Sequence, residues 1–168
     1  MDIIDSPLPS FIWQIKIPPK VQFFCWLFVQ DKCLTANNLA KRGWPHDPTC
    51  QLCHLGMENG LHLLCDCPFT AGIWGYCLTL YRFSYNLLPC ADGDHILGWW
   101  LKALAATTEN RRNDLASLLM VTAWHVWKER NNHIFNNKAS TFLQVAEGIV
   151  SELNLWRMTG FRGVQWID

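Results

Sequence analysis

Cys50-Gln-Leu-Cys53 is followed after eight residues by His62, and after four more by Cys67, a C-x2-C-x8-H-x4-C array. Two residues between cysteines let one tight turn aim both sulfurs at one ion. Three thiolates and one imidazole complete the tetrahedron of a closed zinc site. The predicted cofactor is a single structural Zn2+. Four protein ligands leave no position for water, so zinc-hydroxide chemistry is not expected. Gly56 and Gly60 let the loop between the half-sites reverse. Pro68 directly follows Cys67 and plants that ligand at a helix start. Leu61, Leu63 and Leu64 flank His62 and can dock the site on a core. The spacing leaves two alternatives open: Cys65 in place of Cys67, and His54 in place of His62. Cys25, Cys33, Cys77 and Cys90 lack ligand spacing and read as small core hydrophobes.

The elements that must position these ligands read mostly as helices. Residues 1–19 form a loose lead-in ending at Pro18-Pro19. From Lys20, the residues Val21, Phe24, Cys25 and Phe28 fall on one helical face. Phe23, Trp26 and Leu27 make that helix apolar nearly all round, which predicts a central place. Thr35 is a predicted N-cap for Ala36–Arg42, which Gly43 stops. Pro45 and Pro48 open the irregular segment that holds the first cysteine pair. A helix from Pro68 to about Tyr81 presents Ile73, Trp74, Cys77 and Leu80 inward. Residues 82–94, with Pro89 and Asp92-Gly93-Asp94, form a loop. Further helices are predicted over His95–Ala106 and Glu109–Phe135. Ser140 is read as the cap of a last helix through Met158, with Phe142, Val145, Ile149, Leu153 and Trp156 inward. The fold class is mainly α, a small irregular zinc-knuckle-like segment packed on a helical bundle.

Composition narrows the function classes. In 168 residues, half are hydrophobic and 17% charged, which excludes a disordered chain. Ten Trp and nine Phe imply a thick core or a surface that expects a partner. Lys plus Arg equal Asp plus Glu at 14 each. The overall basic charge of a free-standing nucleic-acid binder is therefore missing, and any such role needs a local patch. No apolar run reaches the ~20 residues of a membrane span. The first ten residues hold two acids and no base, unlike a signal peptide. The expectation is an intracellular protein, nuclear or cytoplasmic and not secreted, where paired cysteines point to metal.

A family resemblance rests on specific residues: Ile12-Trp13, Lys16-Ile17-Pro18-Pro19-Lys20-Val21, Phe24-Cys25-Trp26, Leu34-Thr35, Leu39, Arg42-Gly43, Cys50 with Cys53, Glu58, His62-Leu63, Cys67-Pro68 and Trp74. In this order they resemble the zinc-binding domain that follows the polymerase in plant non-LTR (LINE-type) retrotransposons. The segment from Trp124 through Arg130-Asn131 to Phe135 resembles the linker before the ribonuclease H region of such elements. The resemblance implies a flexible N-terminus at 1–10, a zinc-binding domain at 11–81, a loop at 82–94 and a linker-like helical region at 95–168. It carries the metal ligands onto Cys50, Cys53, His62 and Cys67, and implies RNA or DNA, or the reverse transcriptase of a parent polyprotein, as partners. Asn59 departs from the family's usual Thr or Ser after Glu58, and Cys65 adds a thiol between His62 and Cys67.

Catalytic groups are not legible. No Asp-Asp pair of a polymerase palm occurs, and the densest acidic stretch is Asp92–Asp94 in a loop. Cys25 with His125 lacks support as a nucleophile pair. The expected function is a non-enzymatic zinc domain that contacts RNA or DNA. The alternatives are a zinc-stapled protein-interaction domain and a fragment without independent function. Lys16, Lys20, Lys41 and Arg42 are the predicted phosphate contacts, with Trp44 placed to stack on a base. Lys128 and Arg130 read as the polar face of the long helix, and Trp99-Trp100 as core.

Overall fold

A proline cannot extend a helix that reaches it, but its φ suits a first helical turn. Pro18-Pro19 accordingly divides α1 (Phe11–Gln14) from α2 (Pro19–Val29). The computed structural model describes residues 10–44, 46–84, 90 and 93–165. After α2 come α3 (Ala36–Lys41), a single π-turn (His62–Asp66), α4 (Pro68–Leu80), α5 (Ile96–Ala105), α6 (Glu109–Phe135) and α7 (Phe142–Met158). The described residues contain no strand, and an isolated antiparallel bridge joins Thr49 to Met57. The protein is mainly α, with an irregular knuckle seated on helices. Residues 1–9, Pro45, Pro89 and Asp92 lie outside the described residues.

The centre is α6. All of its residues from Asp114 to Ala123 are buried, and a helix enclosed on every side must sit inside the bundle. It meets α2, α5, α7 and the π-turn, while α4 packs along α7. Trp99 and Trp100 of α5 are core residues, as expected. The tail also docks: Arg162 reaches Asp114 of α6 at 2.6 Å, and Val164 is buried.

Four local expectations are corrected. The lead-in is not loose, because Phe11, Ile12, Ile15 and Ile17 are buried. Gln22 of α2 donates to the carbonyls of Ile12 and Ile15 and fastens α1 down. α1 is too short to show helical periodicity in sequence. The second correction is that α2 is not enclosed: its predicted stripe is buried, but Phe23 is 55% exposed. Third, Thr141 and not Ser140 caps α7. A capping box needs Glu or Gln three residues on; Thr141 has Gln144 there, and both reciprocal bonds form. Fourth, this register leaves Phe142 exposed instead of inward.

Candidate metal centre

Residues 48–58 fold as a knuckle without regular structure. Glu58 N–H donates to the Pro48 carbonyl and Cys50 N–H to the Gly56 carbonyl, both at 2.8 Å. His54 takes a positive φ of 57° at the turn, and Leu55 N–H points to Cys53 Sγ at 3.5 Å. This geometry presents Cys50 and Cys53 on one side of the turn.

The other two ligands come from the π-turn. Cys67 N–H donates to the His62 carbonyl, a five-residue return. A π-turn thus brings the fifth residue on, Cys67, back over His62, where an α-turn would bring the fourth, Asp66. Asn59 Oδ1 accepts from His62 N–H at 2.7 Å and caps the turn, so the Asn for Thr or Ser keeps the capping chemistry. The wide turn frees carbonyls, and α4 satisfies them. Thr70 donates to Leu63 O and Trp74 Nε1 to Leu64 O. Leu63 and Leu64 themselves are fully buried and dock the turn on the core.

The donor atoms of Cys50, Cys53, His62 and Cys67 all lie within 4.8 Å of one another. Cys50 Sγ is 3.9 Å from Cys67 Sγ, and Cys53 Sγ is 3.4 Å from His62 Nε2. Sulfurs on a tetrahedron about 2.3 Å from zinc are about 3.8 Å apart, so the set fits that ion. Cys50 and Cys67 are buried, and Cys53 and His62 partly exposed. Gly56 is required by close approach. A Cβ there would stand 2.7 Å from Cε1 of His62.

Hydrogen bonds within the cluster shift the proton affinities of Cys50, His62 and Cys67. Cys50 is pushed up to about 12, first by its hydrogen bond to Cys67 and then by burial. The same bond lowers Cys67. His62 is raised to about 9, chiefly by a hydrogen bond to Cys50. A zinc ion would displace these protons. The two alternative ligands are not in the cluster. Cys65 is half-buried, and partial burial first, then the neighbouring Cys90 and Asp66, pushes its thiol pKa far up. His54 is exposed at the knuckle's tip.

Residues far along the chain hold the knuckle. Arg130 of α6 meets Glu58 with Nη2–Oε1 at 2.6 Å and Nε within 3.1 Å of both oxygens. The two side chains are 2% and 1% exposed. Arg130 is thus not on a polar helix face, as its sequence context suggested, but inside. Its guanidinium also lies 4.9 Å from the Trp127 ring centre. Glu58 accepts Ala36 N–H at 2.8 Å as well, joining the start of α3. One turn on from Arg130, His133 Nδ1 is 2.9 Å from the Gln51 carbonyl, between the first two cysteines. Its Nε2 is 3.0 Å from Glu129 Oε1. Sequence reasoning missed Asn59, Arg130 and His133 as supports of the site. The nearest signal was that Glu58 and Arg130 both belong to the motifs that carry the resemblance.

Lys16, Lys20, Lys41, Arg42 and Trp44 are all exposed, Trp44 by 68%. Lys20 is in the first turn of α2. Lys41 lies past its other end, 3.6 Å from Asp31. The 11 residues of α2 keep these two ends about 16 Å apart.

Residues 4–74 match a family described as zinc-binding in reverse transcriptase. A protein of Arabidopsis thaliana, provisionally named a ribonuclease H protein, is 25% identical over 135 residues. That alignment covers 74% of this chain and 19% of the relative, so the chain spans about a fifth of the relative's length. No solved structure matches. The family match contains the whole Cys50–Cys67 array. No described helix is long and apolar enough to cross a membrane.

Proposed function

We propose that this chain is a non-enzymatic accessory domain of retrotransposon descent, stapled by one zinc ion, that contacts RNA or DNA for a parent reverse transcriptase inside the cell. The observation that supports it most is the closed Cys3His cluster within a region matching reverse-transcriptase zinc-binding sequences. All four donors are spent on the ion, so its role is to fix the knuckle. Cys50, Cys53, His62 and Cys67 would hold it, and the metal would supply no more than that anchorage. The phosphate contacts we assign are Lys16 and Lys20 at one end of α2, and Lys41 and Arg42 past the other. Trp44 beside them offers a ring for a base.

The test is metal analysis of the purified chain, followed by titration with labelled RNA and DNA at several salt concentrations. The expected result is one zinc per chain and binding that weakens as salt rises. A chain without zinc sinks the staple. Binding indifferent to salt sinks the phosphate contacts.

A second reading has its own support. A groove of about 570 Å3 between the start of α2 and the end of α7 is lined by Pro18, Leu155, Trp156 and Phe161. Leu155 and Met158 nearby are 56% and 84% exposed. This apolar edge suits a protein neighbour, such as another domain of the parent. Loss of binding to a parent fragment on Leu155→Glu would favour it.

A further inference from the structure

The outer faces of α1 and α2 carry a row of aromatic rings whose exposed surfaces are used by neither the core nor the zinc site. Trp13 of α1 lies 6.4 Å from Trp26, and Trp26 lies 6.1 Å from Phe23, nearly parallel to it at 22°. Trp13 and Phe23 are 48% and 55% exposed, and Trp26 is half-buried between them. The row is rigid, since Gln22 ties α1 to α2 and Gln30 Nε2 donates to the Trp26 carbonyl.

The charge around the row is mostly positive. Residues 11–32 contain Lys16, Lys20 and Lys32 and a single acid, Asp31. Asp31 is turned away, toward Lys41 and Asn38. Lys32 Nζ stands 5.2 Å from the Trp26 ring centre. At the other end Lys20 and Lys128 lie 5.9 and 5.4 Å from the Trp124 ring. Glu152, the nearby acid at that end, is shared by His125 at 2.6 Å and Lys128 at 3.8 Å. The row therefore runs along α2 between the two basic groups assigned above.

A purely apolar partner would leave these lysines facing greasy surface at a desolvation cost. A duplex would hide its base faces from the rings. A single strand satisfies both parts: bases stack on exposed rings while lysines track the phosphates. We propose that the Trp13–Trp26–Phe23 row with Lys20 and Lys32 is a platform for single-stranded nucleic acid. This rests on the reading that the chain contacts nucleic acid.

The experiment is fluorescence anisotropy of the zinc-loaded full chain with a labelled 15-nucleotide single strand and its duplex. The variants are Trp13→Ala, Phe23→Ala, Phe23→Tyr, Lys32→Ala and, as a control on α7, Met158→Ala. Melting curves check that each is folded. The expected result is a preference for the single strand, with each lost ring weakening it about fivefold or more. Phe23→Tyr and Met158→Ala bind as the parent chain does. Lys32→Ala lowers the salt slope by about 0.7, one phosphate on a single strand. If the chain binds nucleic acid but Phe23→Ala and Lys32→Ala change nothing, the platform is wrong and the broader reading stands. If duplex and single strand lose equally, stacking is wrong. If the chain binds neither at low salt, the broader reading fails and takes the platform with it. Ring truncations that instead disperse a dimer would make the face a protein contact and overturn the proposal.

Discussion

Removing Arg130 should cost this protein more than removing any surface charge. Its guanidinium makes three contacts of 2.6–3.1 Å with Glu58, and both side chains are essentially sealed from water. Exposed ion pairs are worth about 0–1 kcal/mol. A buried one behaves differently: deleting one partner strands the other's charge and costs about 3–5 kcal/mol. Arg130→Met keeps most of the volume and leaves Glu58 alone. For a chain of this size, about 2–4 °C per kcal/mol converts that loss to a fall of about 6–20 °C in melting temperature. The double variant Glu58→Met/Arg130→Met removes the stranded charge. It still orphans Ala36 N–H, which Glu58 accepts at 2.8 Å, at about 1–3 kcal/mol. The double should therefore melt above Arg130→Met alone. The assay is thermal melting at saturating zinc, read as a double-mutant cycle, with zinc affinity measured by chelator competition. Glu58 ends the knuckle, so Arg130→Met should also weaken zinc. A loss below about 1 kcal/mol, or a double variant worse than both singles added, would refute the buried-pair reasoning.

Three further outcomes follow from the same geometry. Cys67→Ser and Cys53→Ser should abolish stoichiometric zinc in metal analysis while Cys65→Ser retains it, because the π-turn sends Cys65 toward Cys90. Gly56→Ala should weaken zinc in the same competition assay, since its Cβ meets the His62 ring at 2.7 Å and a ligated ring cannot swing aside. The His125–Glu152 contact joins α6 to α7 and holds Glu152 below its usual value of 4.5. A depressed carboxylate pKa adds stability that is complete above about 4.5 and is lost as pH falls through the lowered value. Melting temperature should drop across that acid range, and Glu152→Gln should flatten part of the slope.

Long, strongly periodic elements were legible in the sequence. The stripe Leu115, Leu118, Leu119, Thr122 and Val126 predicts α6, and the helix spans Glu109–Phe135 as read. Pro68 and Thr35 marked helix starts because their chemistry is local. The four ligands were legible for a related reason: zinc chemistry constrains residue type and spacing together. What stayed hidden depends on contacts across the chain. Glu58 and Arg130 are 72 positions apart, and a lone arginine on a helix with polar neighbours reads as solvated. The π-turn was invisible because its signature is a hydrogen-bond register. It nevertheless brings Cys67, and not Cys65, into the cluster, a choice that spacing alone left open. The exposure of Phe23 was misjudged because apolar character on all sides reads as burial, and only the packing shows which side lacks a neighbour.

The placement of the supports suggests why this segment needs metal. Between residues 46 and 60 the buried apolar side chains are Cys50 and Leu52 alone. Fixing backbone costs about 1–2 kcal/mol per residue, and burying Leu52 returns about 1.5–3 kcal/mol. The knuckle cannot order itself on that. Zinc binding to a Cys/His set releases about 10–16 kcal/mol in small peptides, so the ion must supply the largest favourable term. It acts at one end of the knuckle, through the ligands. Arg130 acts at the other, through Glu58, while His133 braces the backbone between the first two cysteines, through the Gln51 carbonyl. The sequence match to reverse-transcriptase zinc-binding regions stops at residue 74, but these two side chains come from α6, far beyond it. A piece truncated near residue 81 would keep all four ligands and lose both supports. It should bind zinc more weakly than the full chain. Equal affinity in chelator competition would show that the knuckle is self-sufficient and that α6 only covers it.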